Sequence, residues 1–189
     1  MGQGESSTTS ADPLRDRAIV LVLVDTGIRA GELVGLKMKD LSLREGEIRA
    51  FGKDQEERLV PIGRQAIKAL TRYLESRHDH GNNRPVFISK HTDEALTVHG
   101  LRQILKRLAR RAGLEERIYT HLFRHTFSQR WMTDGTDGGD LESLRLALGH
   151  NQLSTTRIYA GLQIEEVKRK HQKLSPANRL LQAEQLRLW

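Results

Sequence analysis

The chain has 189 residues, 37% of them hydrophobic, which fits one ordinary domain with a buried core. Its 31 lysines and arginines outnumber 24 acidic residues and give a net charge of +7. This balance indicates a polyanion-binding protein, with nucleic acid ahead of an acidic membrane surface and an inert basic surface as the alternative. The lack of cysteine excludes disulfides and thiolate metal sites, and no apolar run is long enough to span a bilayer.

Residues 1–12 are small and polar, and they predict a flexible leader or the remnant of a linker. Asp12 and Pro13 then predict the start of a first helix, because Asp offers a capping oxygen and Pro already has a helical φ. Thr26 and Gly27 predict its end, since Gly is the usual residue just after a helix. A second helix is expected to begin near Arg29.

The hydrophobic period changes in the middle of the chain. The alternating segments "LSLREGEIRAF" and "RLVPI" predict two or three short antiparallel strands within residues 41–62. Residues 64–77 have the apolar spacing of an amphipathic helix, and "VFIS" at 86–89 is a candidate for one more strand. We therefore expect a fold that is mainly α with a small antiparallel three-stranded β-sheet, an α+β class.

Helices are predicted for most of the second half of the chain. Residues 98–112 give the clearest pattern, with apolar residues on one side and basic residues on the other faces. A helix through 121–132 and a short helix between Asp140 and Gly149 follow, with further helices at 154–160 and 163–173. The tail 176–189 starts with Pro176, and its apolar residues are Leu180, Leu181, Leu188 and Trp189.

The segment "HLFRHTF" at 121–127 combines two imidazoles and a guanidinium without a carboxylate. In a helix, His121, Arg124 and His125 share one side of the first turn, where backbone N–H groups also favour an anion. Arg124 can bind two oxygens of one phosphate. The segment is therefore a candidate anion site, with a helix turn of ordinary core histidines as the alternative.

Other polar residues stand in distinctive settings along the chain. Arg29 follows the Gly27 turn and has Glu32 three residues on, and Lys53 falls in the predicted hairpin. His150 follows Gly149, and Tyr159 comes nine residues later. Taken singly, each has an ordinary explanation: a solvated charge near a cap, a lysine at a hairpin tip, or a tyrosine in the core.

Taken together and in this order, these residues resemble the catalytic set of the tyrosine recombinases, also called phage integrases. The set is Arg29, Lys53, His121, Arg124, His150 and Tyr159. The surrounding segments "TGIRAGELVGL", "HLFRHTF", "LGH" and "STTRIYA" are similar as well. The resemblance extends from about residue 13 to about residue 175.

The resemblance implies a domain that breaks and rejoins DNA strands. Arg29 and Arg124 would clamp the scissile phosphate, and Tyr159 would attack it to form a 3′-phosphotyrosyl link. Lys53 would be the general acid, and His121 and His150 would assist at the phosphate or in proton transfer. Supporting roles are expected for Glu32 and His125. No metal or other cofactor is expected, because the arginines supply the charge.

The resemblance also implies partners and a division of the chain. The partner would be double-stranded DNA. The helix 98–112 is our candidate for contacting it, with a solvated basic face as the alternative; the residues are Arg102, Gln103, Lys106 and Arg110. We expect a leader at 1–12, a catalytic domain at 13–175 and a C-terminal helix at 176–189. That helix would dock on its own domain or on a neighbouring protomer of a tetramer on DNA. The expected location is the cytoplasm of a prokaryote, at the nucleoid, with no membrane partner. Members of the family usually carry an N-terminal DNA-binding domain, so we expect either a catalytic fragment or a minimal enzyme.

Two alternatives remain open from the sequence. A type IB topoisomerase-like enzyme shares the chemistry and would relax DNA without choosing a site. A DNA-binding module would use the positive charge without catalysis, although it has no use for Tyr159 together with Lys53. A metal-dependent nuclease is disfavoured because no companion carboxylates accompany the histidines.

Overall fold

A computed structural model describes residues 11–52, 57–79, 81–90, 92–114, 118–133, 141–148 and 167–178. The helices are α1 (Pro13–Thr26), α2 (Ala30–Gly35), α3 (Arg64–Glu75), α4 (Val98–Arg111), α5 (Thr120–Thr133) and α6 (Leu141–Leu148), with a 3₁₀ turn at Met38–Asp40. The strands are β1 (Leu41–Ser42), β2 (Glu47–Phe51) and β3 (Glu57–Pro61). In the described part of the chain, no helix is long and apolar enough to cross a membrane.

Helix α1 is the centre of the main core and has the predicted limits. The side chain of Asp12 accepts the backbone N–H of Arg15 at 3.1 Å, and Pro13 occupies the first turn. At the other end Gly27 adopts a left-handed φ of 60°, and its N–H donates to the carbonyl of Leu23. The middle of the helix is apolar on nearly every side, which explains why most of it is buried.

The predicted antiparallel three-stranded sheet is present, and its strands have the order β1-β2-β3. Ile48 and Val60 are paired across β2 and β3, and both are buried with Ala50. Because side chains alternate along a strand, this face of the sheet packs on the core while the other faces outward. The hairpin of β2 and β3 lies beside α2.

The strand expected at residues 86–89 does not form, and this prediction was wrong. The backbone makes two isolated bridges instead, Lys37 with Pro85 and Ile88 with Ala95. Val86 and Phe87 are both fully buried, so the segment lacks the alternation of a half-buried strand. The N–H of Val86 donates to Leu36, whereas the carbonyl of Phe87 accepts from Leu96, so the segment has no continuous partner strand.

Helix α4 begins as predicted, with the side chain of Thr97 accepting the N–H of Gly100 at 3.0 Å. It buries Leu101, Ile104 and Leu105 against the main core. One of its basic residues differs from the expected outward position. Arg107 is only 25% exposed, because its guanidinium donates to the buried carboxylate of Asp16 on α1.

Helices α5 and α6 form a second apolar cluster with the C-terminal segment 167–178. Its members are Phe127, Trp131, Leu144, Ala147, Leu148, Val167 and Leu174. Residues 167–174 and 176–178 are helical, which confirms part of the helix predicted at 163–173. The predicted helix at 154–160, the capping residues Asp140 and Gly149, and the tail from residue 179 lie outside the described residues.

Candidate active site

Arg124 lies where three helices meet. It projects from α5, and its side chain is buried with the residue only 7% exposed. Its Nη1 donates to the carbonyl of Gly27 and its Nη2 to the carbonyl of Leu148, each at 2.9 Å. These carbonyls lie at the C-terminal ends of α1 and α6, where the helix dipole favours a cation. The guanidinium is therefore anchored on the backbone of two helices.

Other positive charges lie close to Arg124. Burial, together with the nearby charges of Arg29 and Arg58, lowers the pKa of Arg124 to about 10, while the charge of Glu32 opposes this shift. A pKa of about 10 still leaves Arg124 protonated at neutral pH. Three guanidiniums and one carboxylate therefore lie close enough for their charges to interact, and the excess of positive charge attracts an anion.

Glu32 links the turn after α1 to the first residues of α2. Its Oε2 accepts the backbone N–H of Arg29 at 2.9 Å, and its Oε1 accepts Nη1 of Arg29 at 3.0 Å. The side chain of Glu32 is 3% exposed, whereas that of Arg29 is 49% exposed. The carboxylate is therefore hidden below a guanidinium that faces solvent.

Arg58 on β3 completes this arrangement, and the sequence analysis missed it. Its Nη1 and Nη2 donate to Oε1 and Oε2 of Glu32 at 2.5 and 2.7 Å. Burial tends to raise the pKa of Glu32, but the hydrogen bonds and charges of Arg58 and Arg29 outweigh it and hold the pKa below its ordinary value. The inward position of Arg58 could be expected from the sequence, because side chains two residues apart on a strand share a face and Val60 is buried. An inward arginine requires a carboxylate.

The two histidines of "HLFRHTF" lie on the solvent side of α5. His121 and His125 are exposed, whereas Phe127 is buried and Phe123 is partly buried against the main core. The phenylalanines thus fix the helix on the core, and the imidazoles lie at the surface beside the buried Arg124.

Half of the predicted catalytic set can be located in the structure. Arg29, His121 and Arg124 are described, whereas Lys53, His150 and Tyr159 lie outside the described residues. The catalytic roles of all six stay predictions. The predicted DNA-contacting residues of α4 are all exposed; they are Arg102, Gln103, Lys106 and Arg110. Among the described residues, no three His, Asp or Glu side chains gather as a metal-ligand group.

Comparison with known proteins identifies the family of the chain. The model of the phage integrase family matches residues 5–166. The chain belongs to the phage integrase family. The tyrosine recombinase XerD of Listeria monocytogenes serotype 4b (strain F2365) is 40% identical over 159 residues, which cover 82% of this chain and 52% of that protein. The XerD of Yersinia pestis is 36% identical over 167 residues, covering 86% of this chain and 55% of the relative.

Solved structures of integrase-family proteins confirm the predicted fold class. The crystal structure of XerA recombinase has a TM-score of 0.64 and 30% identity, and covers 84% of this chain and 59% of that one. XerH site-specific recombinase bound to its difH substrate, in a pre-cleavage complex, has a TM-score of 0.59 and 29% identity, covering 83% of this chain and 46% of that one. The chain spans about half the length of the curated relatives it matches.

Proposed function

We propose that this chain is the catalytic domain of a site-specific tyrosine recombinase that cleaves and rejoins double-stranded DNA. The observation that carries the proposal is the cluster of Arg29, Arg58 and Arg124 around one carboxylate in a member of the integrase family. Similarity to recombinases, one of them solved on its DNA substrate, supports the choice of DNA as the anion.

The proposed reaction exchanges one phosphodiester for another. The hydroxyl of Tyr159 loses its proton to His121, His150 or water as its oxygen attacks the phosphorus; the bond to the 5′-oxygen breaks, and a 3′-phosphotyrosyl link forms. Lys53 gives the leaving 5′-oxygen its proton, and His121 and His150 assist at the phosphate or in proton transfer. Arg29 and Arg124 stabilise the charge that develops on the non-bridging oxygens. Rejoining is the reverse reaction, so it needs neither a metal ion nor ATP.

DNA binding is proposed to use the exposed basic face of α4. Arg102, Lys106 and Arg110 lie on this face with Gln103, and none of them is buried. Cations at these positions can contact phosphates and release counterions, which makes the affinity depend on salt. We also propose that the protein acts on DNA of the nucleoid, in the cytoplasm, as the bacterial XerD relatives suggest.

An assembly through the C-terminal segment belongs to the same proposal. Next to Pro176 lies an apolar cleft of about 150 Å³, lined by Val24, Ile118, Leu122, Phe123, Thr126, Arg130 and Pro176. We propose that the tail 179–189 of a neighbouring copy occupies this cleft in a tetramer on DNA, through Leu180, Leu181, Leu188 and Trp189. Sedimentation of the protein–DNA complex tests it: replacing Leu180 and Leu181 by serine should reduce the assembly, and an unchanged assembly would refute it.

A covalent-capture experiment tests the chemistry. The protein is mixed with a pool of nicked duplexes randomised around the nick, at low salt, and the products are separated on a denaturing gel. We expect a protein–DNA band that is absent in Tyr159→Phe and unaffected by a chelator, and sequencing the captured DNA identifies the preferred site. No band from the unmodified chain, or a band that persists in Tyr159→Phe, would overturn the proposal.

The same assay separates the alternatives. A topoisomerase-like enzyme would capture DNA without sequence preference and would relax any supercoiled plasmid. A DNA-binding module would shift DNA on a native gel and leave no covalent band. A band that requires a divalent cation would indicate a metal-dependent nuclease instead.

A further inference from the structure

Arg58 is a largely buried cation for which the catalytic set of the resemblance has no role. It is 13% exposed on its side chain, and its Nε is buried without a hydrogen-bond partner. Both of its Nη atoms are used on Glu32, at 2.5 and 2.7 Å. Burying a guanidinium nitrogen without a hydrogen-bond partner costs free energy. The contact of Arg58 with Glu32 must therefore have a role that a smaller side chain would not fill.

We propose that Arg58 is a positioning residue, which neutralises Glu32 so that Arg29 and Arg124 keep their positive charge for the scissile phosphate. The inference rests on the proposed function, because it assigns a role within that reaction. Arg58 itself does not touch DNA.

The geometry around Glu32 supports this role. Each carboxylate oxygen accepts one hydrogen bond from Arg58 and one from Arg29, so all four donors are shared evenly between the two arginines. Arg29 contributes only one side-chain nitrogen and keeps its guanidinium half exposed. If Arg58 were absent, the buried carboxylate would turn to Arg29 and bind it in the two-pronged geometry that carboxylates prefer. Arg29 would then be drawn inward and partly neutralised.

The charge balance leads to the same conclusion. Three guanidiniums and one carboxylate leave an excess of positive charge facing the phosphate. The charge on the non-bridging oxygens grows in the transition state, so each lost positive charge slows the reaction more than it weakens DNA binding. Removing Arg58 should therefore lower the rate of cleavage and leave the affinity for DNA nearly unchanged.

The test compares two versions of the nicked duplex that covalent capture identifies. One has the natural scissile phosphodiester, and the other has a methylphosphonate there, in which a methyl group replaces one charged non-bridging oxygen. Arg58→Met keeps the length of the side chain and removes its charge. On the natural substrate we expect single-turnover cleavage to fall roughly 10- to 100-fold, less than the loss of a direct oxyanion donor. On the methylphosphonate the deficit should shrink to a few-fold, since less charge develops.

Three further variants separate positioning from support of the fold. Glu32→Gln in the Arg58→Met background should restore much of the lost rate, because a neutral amide no longer competes for Arg29. Arg58→Lys should retain most of the activity, because its ammonium still neutralises Glu32. Arg49→Met is the matched control, since Arg49 lies on the same hairpin in an exposed pair with Glu57, and it should leave the cleavage rate unchanged.

Two results would overturn the inference. One is an equal loss of cleavage rate on both substrates in Arg58→Met, and the other is no restoration of the rate by Glu32→Gln. Either result would mean that Arg58 only stabilises the contact between the hairpin and α2. Thermal unfolding of each variant identifies any that fail to fold, and Arg58→Lys then carries the test. A failed proposal of recombinase chemistry is recognised separately, by the Tyr159→Phe control.

Discussion

His171 Nε2 lies 2.6 Å from the main-chain oxygen of Asp25, a residue 146 positions earlier in the chain. The same aspartate accepts the N–H of Gly63 at 2.5 Å and the hydroxyl of Ser175 through its carboxylate. The side chains of Asp25 and His171 are essentially inaccessible to solvent. The C-terminal segment 167–178 is therefore fastened to the last turn of α1 and to the start of α3 by one buried carboxylate.

Replacing Asp25 by alanine should strongly destabilise the domain. The buried N–H of Gly63 and the hydroxyl of Ser175 would both lose a charged acceptor, which costs roughly 2–4 kcal/mol of the free energy of unfolding. Urea denaturation followed by circular dichroism measures the change. Asp79→Ala is the control, because Asp79 forms an exposed pair with Arg84 and such pairs contribute at most about 1 kcal/mol. Equal effects from the two variants would contradict the assignment.

Glu32 should make the stability of the domain depend on acid pH. Burial alone would raise its pKa, but the hydrogen bonds from Arg58 and Arg29 together outweigh the effect of burial and hold the pKa below the ordinary value of 4.5. A carboxyl with a lowered pKa contributes stability that is present above its unfolded pKa and is lost as the pH falls through the folded value. The domain should therefore lose stability as the pH falls below about 4.5, and Glu32→Gln should lose less over that window.

Urea midpoints measured between about pH 7 and pH 3 test this dependence. Glu75→Gln serves as the control, since it removes an exposed carboxylate of α3. Parallel curves for the unmodified protein and Glu32→Gln would show that Glu32 does not contribute in this way.

Two glycines with similar backbones should differ in their tolerance of alanine. Gly27 has a φ of 60° and Gly113 a φ of 68°, so a residue with a Cβ is destabilising at either position because the backbone is left-handed. A Cβ at Gly27 would also lie 3.1 Å from side-chain atoms of Phe127 and Leu148, whereas the space at Gly113 is open. We expect about 1 kcal/mol of destabilisation for Gly113→Ala and roughly 2–4 kcal/mol for Gly27→Ala.

The activity of these two variants provides a second measurement. The carbonyl of Gly27 holds Nη1 of Arg124, so Gly27→Ala should also slow covalent capture of DNA, whereas Gly113→Ala should not. A Gly27→Ala protein with normal stability and normal capture would show that the turn tolerates the added methyl group.

Substitutions at two neighbouring cations of α4 should change different properties, DNA binding in one case and stability in the other. Lys106 is exposed, whereas Arg107 donates to the buried Asp16. Lys106→Ala should weaken DNA binding and lower the slope of log affinity against log salt by about 0.9, the value for one lost phosphate contact. Arg107→Ala should instead lower the free energy of unfolding by roughly 1–3 kcal/mol, because Asp16 loses one of its two arginine partners and keeps the buried pair with Arg15. Fluorescence anisotropy at several salt concentrations and urea denaturation measure the two effects.

The helix limits could be predicted because their causes are local. Asp12 and Pro13 open α1, and Gly27 closes it, through contacts within four residues. The exposed face of α4 followed in the same way from a helical period. The strand expected at 86–89 failed because its partners, near Leu36 and Leu96, come from two different parts of the chain.

The missing parts of the site depend on contacts between distant segments. Glu32 stands three residues from Arg29, so that pairing is visible in the sequence, whereas Arg58 is 26 residues from Glu32. Arg107 resembles its neighbour Lys106 in the sequence, and its contact with Asp16, 91 residues away, is not visible there. Charge patterns identify candidates for such contacts but do not select the partner.

The double attachment of Arg124 has a consequence for how this protein is studied. One guanidinium closes the ends of α1 and α6 onto α5, so altering it removes a fastening of the fold along with a candidate phosphate ligand. An inactive Arg124 variant would therefore mix two defects and is unsuitable as a catalytically dead reference. Tyr159→Phe removes only the hydroxyl of the proposed nucleophile and is therefore the better inactive reference for the proposed cleavage of DNA.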